Sequence, residues 1–216
     1  MRIAFFDFDH TLVSGDSNEL WYEHLRARGL IQAAALARHD GFMADYRAGT
    51  LDFDALQRFR AEVDAGLPAD TLERERRAYV HARLLPILSA DAVAHVRAHQ
   101  AAGDRVVIVS ATRRCLIEAV AERLGIADLI TAEPGELVAG QPCFAEGKVA
   151  HVQAWLARHA RSLQDLDASW FYSDSSNDIP LLTAVRNPVA VTPDPRLLRL
   201  ARERGWAVVG APPGAR

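Results

Sequence analysis

The sequence predicts an α/β fold, an open parallel sheet with helices between its strands and one all-helical insertion after the first strand. Four short β-rich runs, RIAFF (2–6), RVVIV (105–109), SWFY (169–172) and VAV (189–191), are nearly continuous in apolar residues rather than alternating. That is the pattern of strands covered on both faces. Helical periodicity separates the later runs, which makes βαβ units with right-handed crossovers. The interval 16–85 breaks the alternation, because it contains no convincing strand.

Taken in order, RIAFF opens the sheet. Residues 16–85 then read as helices over 17–28, about 31–47, 52–64 and 70–84, with breaks at Gly49-Thr50 and at Gly66-Leu67-Pro68. Such a block is too long for a crossover and is read as a small helical cap (16–85) inserted into a core formed by 1–15 and 86–216. After RVVIV, a helix over 112–125 is expected, with Thr112 as its N-cap, Leu116, Val120 and Leu124 on one face, and Gly125 as its stop. Val149, Val152, Trp155 and Leu156 give a second such face within 147–159. A third helix spans 194–205, where Asp194 caps, Pro195 takes the first helical position and Gly205 ends the run. The proline- and glycine-rich end, 210–216, reads as a frayed tail.

Composition narrows the function. Half of the 216 residues are hydrophobic and 25% are charged, as in a packed globule. A net charge of −3 gives no basic face for a general nucleic-acid binder. No run approaches the ~18 apolar residues of a membrane span, and residues 1–15 lack the pattern of a signal peptide. The two cysteines, Cys115 and Cys143, suit a reducing cytoplasm. The eight histidines show no zinc-ligand spacing. His10 could line a pocket. Trp21, Tyr22, Phe42, Tyr46 and Phe53 read as core of the helical block, and ERERR (73–77) as an exposed helix face.

Chemistry in an open parallel sheet sits beyond the carboxyl ends of the strands. Asp7 and Asp9 lie there after the first strand, with Phe8 between them turned the other way. RVVIV leads into Ser110-Ala111-Thr112, a hydroxyl before a helix, which suits an anion. SWFY leads into SDSSND, with Asp174, Asn177 and Asp178, and Lys148 opens a helix in EGKV. Four aspartates on one rim repel one another and call for a cation. All-oxygen donors favour Mg²⁺, often shared with a substrate phosphate whose other oxygens a lysine and a serine would hold.

DFDHT, Ser110 in VSAT, Lys148 and DSSND resemble the four ordered motifs of the haloacid dehalogenase (HAD) superfamily of phosphohydrolases. The helical block after the first motif resembles its subfamily IB, which includes phosphoserine and histidinol-phosphate phosphatases. The resemblance runs from Met1 to about Val209. It implies a three-layer, Rossmann-like core and a Mg²⁺-dependent phosphomonoesterase. Asp7 would be the nucleophile, forming an aspartyl-phosphate, and Asp9 the general acid and then base. Asp7, Asp9, Asp174 and Asp178 would serve the metal, and Ser110, Lys148 and Asn177 the phosphoryl oxygens. A response-regulator receiver uses similar groups but is much shorter and has no inserted block.

For the leaving group, the resemblance points to Asp16, where phosphoserine phosphatases usually have Glu, and to Arg60. An Asp–Arg pair suits a zwitterion such as phosphoserine. Histidinol phosphate offers an ammonium for Asp16 but no carboxylate for Arg60. The closing NPVAVTPDPRLLRLARERGW favours the histidinol-phosphate type. Phosphoserine phosphatase, a phosphotransferase and a non-catalytic binding module on the same fold are the alternatives. The expected partner is a small phosphomonoester, with no nucleic acid and no membrane.

Overall fold

The computed structural model describes residues 1–210. Its sheet is parallel and six-stranded. The strands are β1 (Arg2–Phe6), β2 (Arg105–Val109), β3 (Asp128–Ile130), β4 (Ala168–Ser173), β5 (Asn187–Val191) and β6 (Ala207–Val209), in the order β3-β2-β1-β4-β5-β6. The chain separates into two compact units, Met1–Ser14 with Leu88–Arg216, and Gly15–Ile87.

The first unit is the α/β unit. It contains α5 (Ala90–Ala101), α6 (Arg114–Leu124), α7 (Glu146–Ala157), α8 (Ile179–Ala184) and α9 (Pro195–Arg204). The second holds α1 (Ser17–Ala27), α2 (Ala33–Ala48), α3 (Phe53–Ala65) and α4 (Ala69–Tyr79). From β1 the chain steps outward through β2 to β3, then crosses back to β4 and steps the other way. Right-handed crossovers therefore put α5 and α6 on one face and α7, α8 and α9 on the other. Consecutive side chains of β1 report both faces. Phe5 meets Trp155 of α7 edge-on at 6.4 Å, and Phe6 meets His99 of α5 at 6.1 Å. Connections leave β1 and β4 in opposite senses, so a crevice opens at their carboxyl ends.

Ile3, Ala4, Phe5, Phe6 and Phe8 are fully buried, and Phe6 stacks on its register partner Tyr172 at 4.3 Å. Each buried phenylalanine contributes about 1.5–3 kcal/mol of transfer free energy. Beneath this stack, the Tyr172 hydroxyl and His99 Nε2 share a hydrogen bond of 2.9 Å. His99 Nδ1 lies 2.7 Å from Asp104, which accepts from Arg2 Nε at 2.6 Å. Buried polar groups are here satisfied along one chain. The helical unit packs Trp21, Tyr22 and Leu25 of α1 with Leu56 and Phe59 of α3 and Tyr79 of α4. Its buried Glu75 accepts from Arg28 and lies 3.0 Å from His24 Nε2.

The fold class agrees with expectation, but several elements differ. Strands β3 and β6 were not expected; each is only three residues long, at a sheet edge. Helix α5 was also missed, because its covered side is built from Ala92, Val96 and His99 rather than large apolar residues. The helix expected over 70–84 stops at Tyr79, continues as a π turn over Val80–Leu84 and ends in a 3₁₀ turn around Pro86, which has no N–H to continue it. Thr112 is not an N-cap, since α6 begins at Arg114. Asp194, Pro195 and Gly205 frame α9 as expected. Of the tail, 211–216 lies outside the described residues.

Candidate active site

The site begins where β1 ends. Asp7 N–H donates to Tyr172 O at 2.9 Å, extending the pairing with β4 by one residue. Phe8 turns into the core, and its carbonyl accepts from the N–H groups of Thr11, Leu12 and Val13. His10 lies in this turn at φ 54°, left-handed and exposed. The turn leaves Asp7 buried and Asp9 half-buried.

Lys148 joins two of the acids. Its Nζ donates to Asp7 Oδ1 at 3.0 Å and to Asp178 Oδ2 at 2.8 Å, and Ser173 Oγ donates to the same Asp178 oxygen at 2.7 Å. Lys148 is 3% exposed and Asp178 2%. Helix α7 delivers the lysine through a tight entry. Ala145 sits at φ 47°, and a Cβ on Gly147 would lie 1.9 Å from the Pro142 carbonyl oxygen. Asp174 follows β4 and accepts from Thr11 Oγ1 at 3.2 Å.

The third group lies beyond β2. Ser110 is buried, and its Oγ accepts from Thr112 N–H at 3.1 Å. Thr112 Oγ1 donates to Asp9 Oδ2 at 2.7 Å, which is why this hydroxyl does not cap α6. Asn177 is half-buried on the 3₁₀ turn Ser176–Asp178, its N–H bonded to Ser175 Oγ. The structure thus brings Asp7, Lys148 and Asp178 into direct contact and ties Asp9 to the Ser110 loop. Asp16 and Arg60 belong to the helical unit. One carboxylate oxygen of Asp16 accepts from Asn18 N–H and Glu19 N–H, so it is the N-cap of α1. Arg60 is buried in α3, bonded to Gln57 at 3.3 Å, with its guanidinium 6.0 Å from the Phe53 ring centroid. Sequence reasoning assigned nothing to Thr11, Ser173 or Gly147. Thr11 and Ser173 each adjoin a motif aspartate, and a glycine before the lysine was the available signal for a close backbone approach.

The electrostatics are those of crowded acids. Burial pushes the Asp7 carboxyl up to about 7; Lys148 opposes this, while Asp178 and Asp9 add to it. Burial also pushes Asp174 well above the usual carboxylate range, with Asp7 and Asp178 adding to the effect. Among the described residues no three Asp, Glu, His or Cys side chains form a ready metal cage. Mg²⁺ needs none, since it keeps several waters and takes one or two carboxylates with a substrate phosphate. Oxygen-only donors, and buried acids such as Asp7 and Asp174 whose ionisation burial disfavours, fit such a cation.

The haloacid dehalogenase-like hydrolase family model matches residues 4–183. A histidinol-phosphatase of Neisseria meningitidis serogroup C (strain 8013) is 36% identical over 217 residues, covering 96% of this chain and 98% of the relative. The structure of a Bordetella pertussis Tohama I protein of unknown function is 36% identical, with a TM-score of 0.87 over 97% of this chain and 98% of that one. A phosphoserine phosphohydrolase-like protein from Francisella tularensis subsp. tularensis SCHU S4 shares the fold at 16% identity, with a TM-score of 0.70 over 97% and 95% of the two chains. A strand that ends in two acids, a lysine shared between the first acid and Asp178, and a family match spanning most of the chain agree: the protein belongs to the haloacid dehalogenase-like hydrolases and is a phosphatase of that family.

Proposed function

We propose that the protein is a Mg²⁺-dependent phosphomonoesterase that hydrolyses histidinol phosphate through an aspartyl-phosphate on Asp7. The observation that carries the chemistry is the Asp7–Lys148–Asp178 cluster, beside a half-buried second acid two residues on. Asp7 Oδ attacks phosphorus, the ester P–O bond breaks, and Asp9 gives its proton to the departing alkoxide. Asp9 then takes a proton from water, which attacks phosphorus and frees Asp7. Lys148, Ser110 and Asn177 hold the phosphoryl oxygens. Asp7, Asp174, Asp178 and the backbone carbonyl of Asp9 would hold the cation, which when bound neutralises charge between carboxylate and phosphate. The whole-length likeness to a histidinol-phosphatase supports the substrate. A buried guanidinium in the helical unit, Arg60, favours phosphoserine as the second reading. Among the described residues no helix is long and apolar enough to cross a membrane. Two cysteines in 216 residues suit a reducing compartment, and we place the enzyme in the cytoplasm.

Phosphate release from histidinol phosphate, phosphoserine and p-nitrophenyl phosphate, with Mg²⁺ and with EDTA, tests this. The highest kcat/KM is expected for histidinol phosphate, lost in EDTA and restored by Mg²⁺. Preference for phosphoserine would transfer the assignment to the second reading. A transfer product formed in competition with water would mean a phosphotransferase. No Mg²⁺-dependent release from any ester would leave a binding module.

The Thr112–Asp9 bond adds a prediction. Thr112→Val should lower kcat on histidinol phosphate by about 10- to 100-fold through misplacement of the acid. Hydrolysis of p-nitrophenyl phosphate, whose leaving group needs little protonation, should fall much less. Equal losses on both esters would count against Asp9 as the acid.

A further inference from the structure

Ser173, the last residue of β4, is fully buried, and its hydroxyl is fully employed. Ser175 N–H donates to its Oγ at 3.1 Å, so the hydroxyl proton is turned elsewhere and goes to Asp178 Oδ2 at 2.7 Å. That is the favoured length for such a bond. Lys148 Nζ meets the same oxygen at 2.8 Å. Both donors converge on Oδ2, and among the described residues no donor meets Oδ1. The two donors are mounted differently. Ser173 has a short side chain on a strand residue paired with Ala190 of β5. Lys148 reaches Asp178 on a flexible four-carbon stem, and its Nζ also donates to Asp7. Asp178 itself lies where the 3₁₀ turn gives way to α8.

A phosphate competes for Lys148, which the reading above gives to the phosphoryl oxygens. Of the two donors on Asp178, the serine has no second acid and no phosphate to serve. We propose that Ser173 is a positioning residue that holds Asp178 in place for the cation while Lys148 turns to the phosphate. Oδ2 is spent on the two protein donors, and Oδ1 is left to the cation. This rests on the Mg²⁺ reading above and adds the residue that fixes one of its carboxylates. Solvent does not replace the hydroxyl, because Ser173 is fully covered and one deleted oxygen opens less room than a water needs.

The probe is Mn²⁺, which takes the same oxygen donors as Mg²⁺ and whose EPR signal reports the unbound ion. It is titrated into phosphate-free protein. Ser173→Ala should raise the Mn²⁺ Kd by about 10-fold or more, as loss of a partner behind a metal-holding carboxylate does. Ser173→Thr, which keeps the hydroxyl and suits a strand, should recover most of that affinity. Ser169→Ala is the control for a merely structural effect. It removes another buried hydroxyl of β4, one that accepts from Arg186 N–H at 3.0 Å, and should leave the Kd unchanged. In case Ser173→Ala does not fold, Ser173→Cys provides the same comparison, since a thiol is a weaker donor. Wild-type Mn²⁺ affinity in Ser173→Ala, or an equal rise in Kd in Ser169→Ala, would overturn the role of Ser173 and leave the cation reading standing. A wild type that binds no Mn²⁺ would overturn the cation reading and this role with it.

Discussion

Asp7→Asn is expected to abolish turnover of every phosphomonoester while making the metal-free protein more stable at pH 8. The first effect follows from chemistry. An amide cannot displace an alkoxide from phosphorus, and loss of a covalent nucleophile costs several orders of magnitude in kcat. The second follows from the environment of Asp7. Its folded pKa is raised to about 7, so the folded state binds the proton more tightly than the unfolded chain. Stability is then fully present below the ordinary carboxylate pKa and is lost as pH rises through about 7. The ceiling is about 4 kcal/mol, at roughly 1.4 kcal/mol per unit. Asparagine carries no charge at any pH, so the variant loses this slope. His39 has the opposite sign: its lowered pKa contributes stability above about 6.5 that is lost as pH falls toward 4. The useful quantity is therefore the difference between wild type and Asp7→Asn, measured by thermal unfolding in EDTA from pH 5 to 8. That difference should grow with pH and shrink when Mg²⁺ is added, because the cation replaces the missing positive charge. An active Asp7→Asn would end the covalent scheme, and a pH-independent difference would mean that Asp7 is not held protonated by its surroundings.

The parts of this site that the sequence discloses are those specified locally. RIAFF is apolar because both faces of β1 are covered, and the acids follow it because the strand ends there. Asp194, Pro195 and Gly205 announce α9 by their own backbone preferences. What stayed hidden depends on residues far apart in the chain. Thr112 reads as a helix cap because a hydroxyl before a helix usually is one, but Asp9, 103 positions away, takes its hydrogen bond. Thr11 and Asp174 are 163 apart. The stripe of α5 is built from small side chains and a histidine whose partners, Asp104 and Tyr172, come from other elements. His39 stands in α2 among alanines and charges, with no sign in the sequence that its ring would be fully covered. Local rules find strands and caps; they do not find which polar group is buried against which.

Gly147→Ala is expected to produce the second-largest loss, through backbone alone. The added Cβ would fall 1.9 Å from the Pro142 carbonyl oxygen and 3.0 Å from its carbon, and neither is the end of a flexible side chain that could swing away. The same carbonyl is already bonded to Phe144 N–H, and Gly147 N–H to Phe144 O, so the turn has little room to yield. The helix start must move instead, carrying Lys148 with it. Lys148 Nζ lies at 3.0 Å and 2.8 Å from Asp7 and Asp178, and an ångström of displacement breaks both contacts. Two buried carboxylates then lose their only lysine. Removing one partner of a buried ion pair typically costs about 3–5 kcal/mol, and misplacing a phosphate-binding group by an ångström costs about 100-fold in rate. Gly41→Ala in α2 is the control, because its Cβ would meet nothing within 4 Å, and alanine favours a helix by about 0.5–1 kcal/mol. Gly147→Ala should therefore melt well below wild type and lose activity on all esters alike, while Gly41→Ala should melt at or slightly above it with kcat unchanged. Wild-type melting and turnover in Gly147→Ala would mean that the entry to α7 is looser than its geometry implies and that Lys148 is not positioned by it.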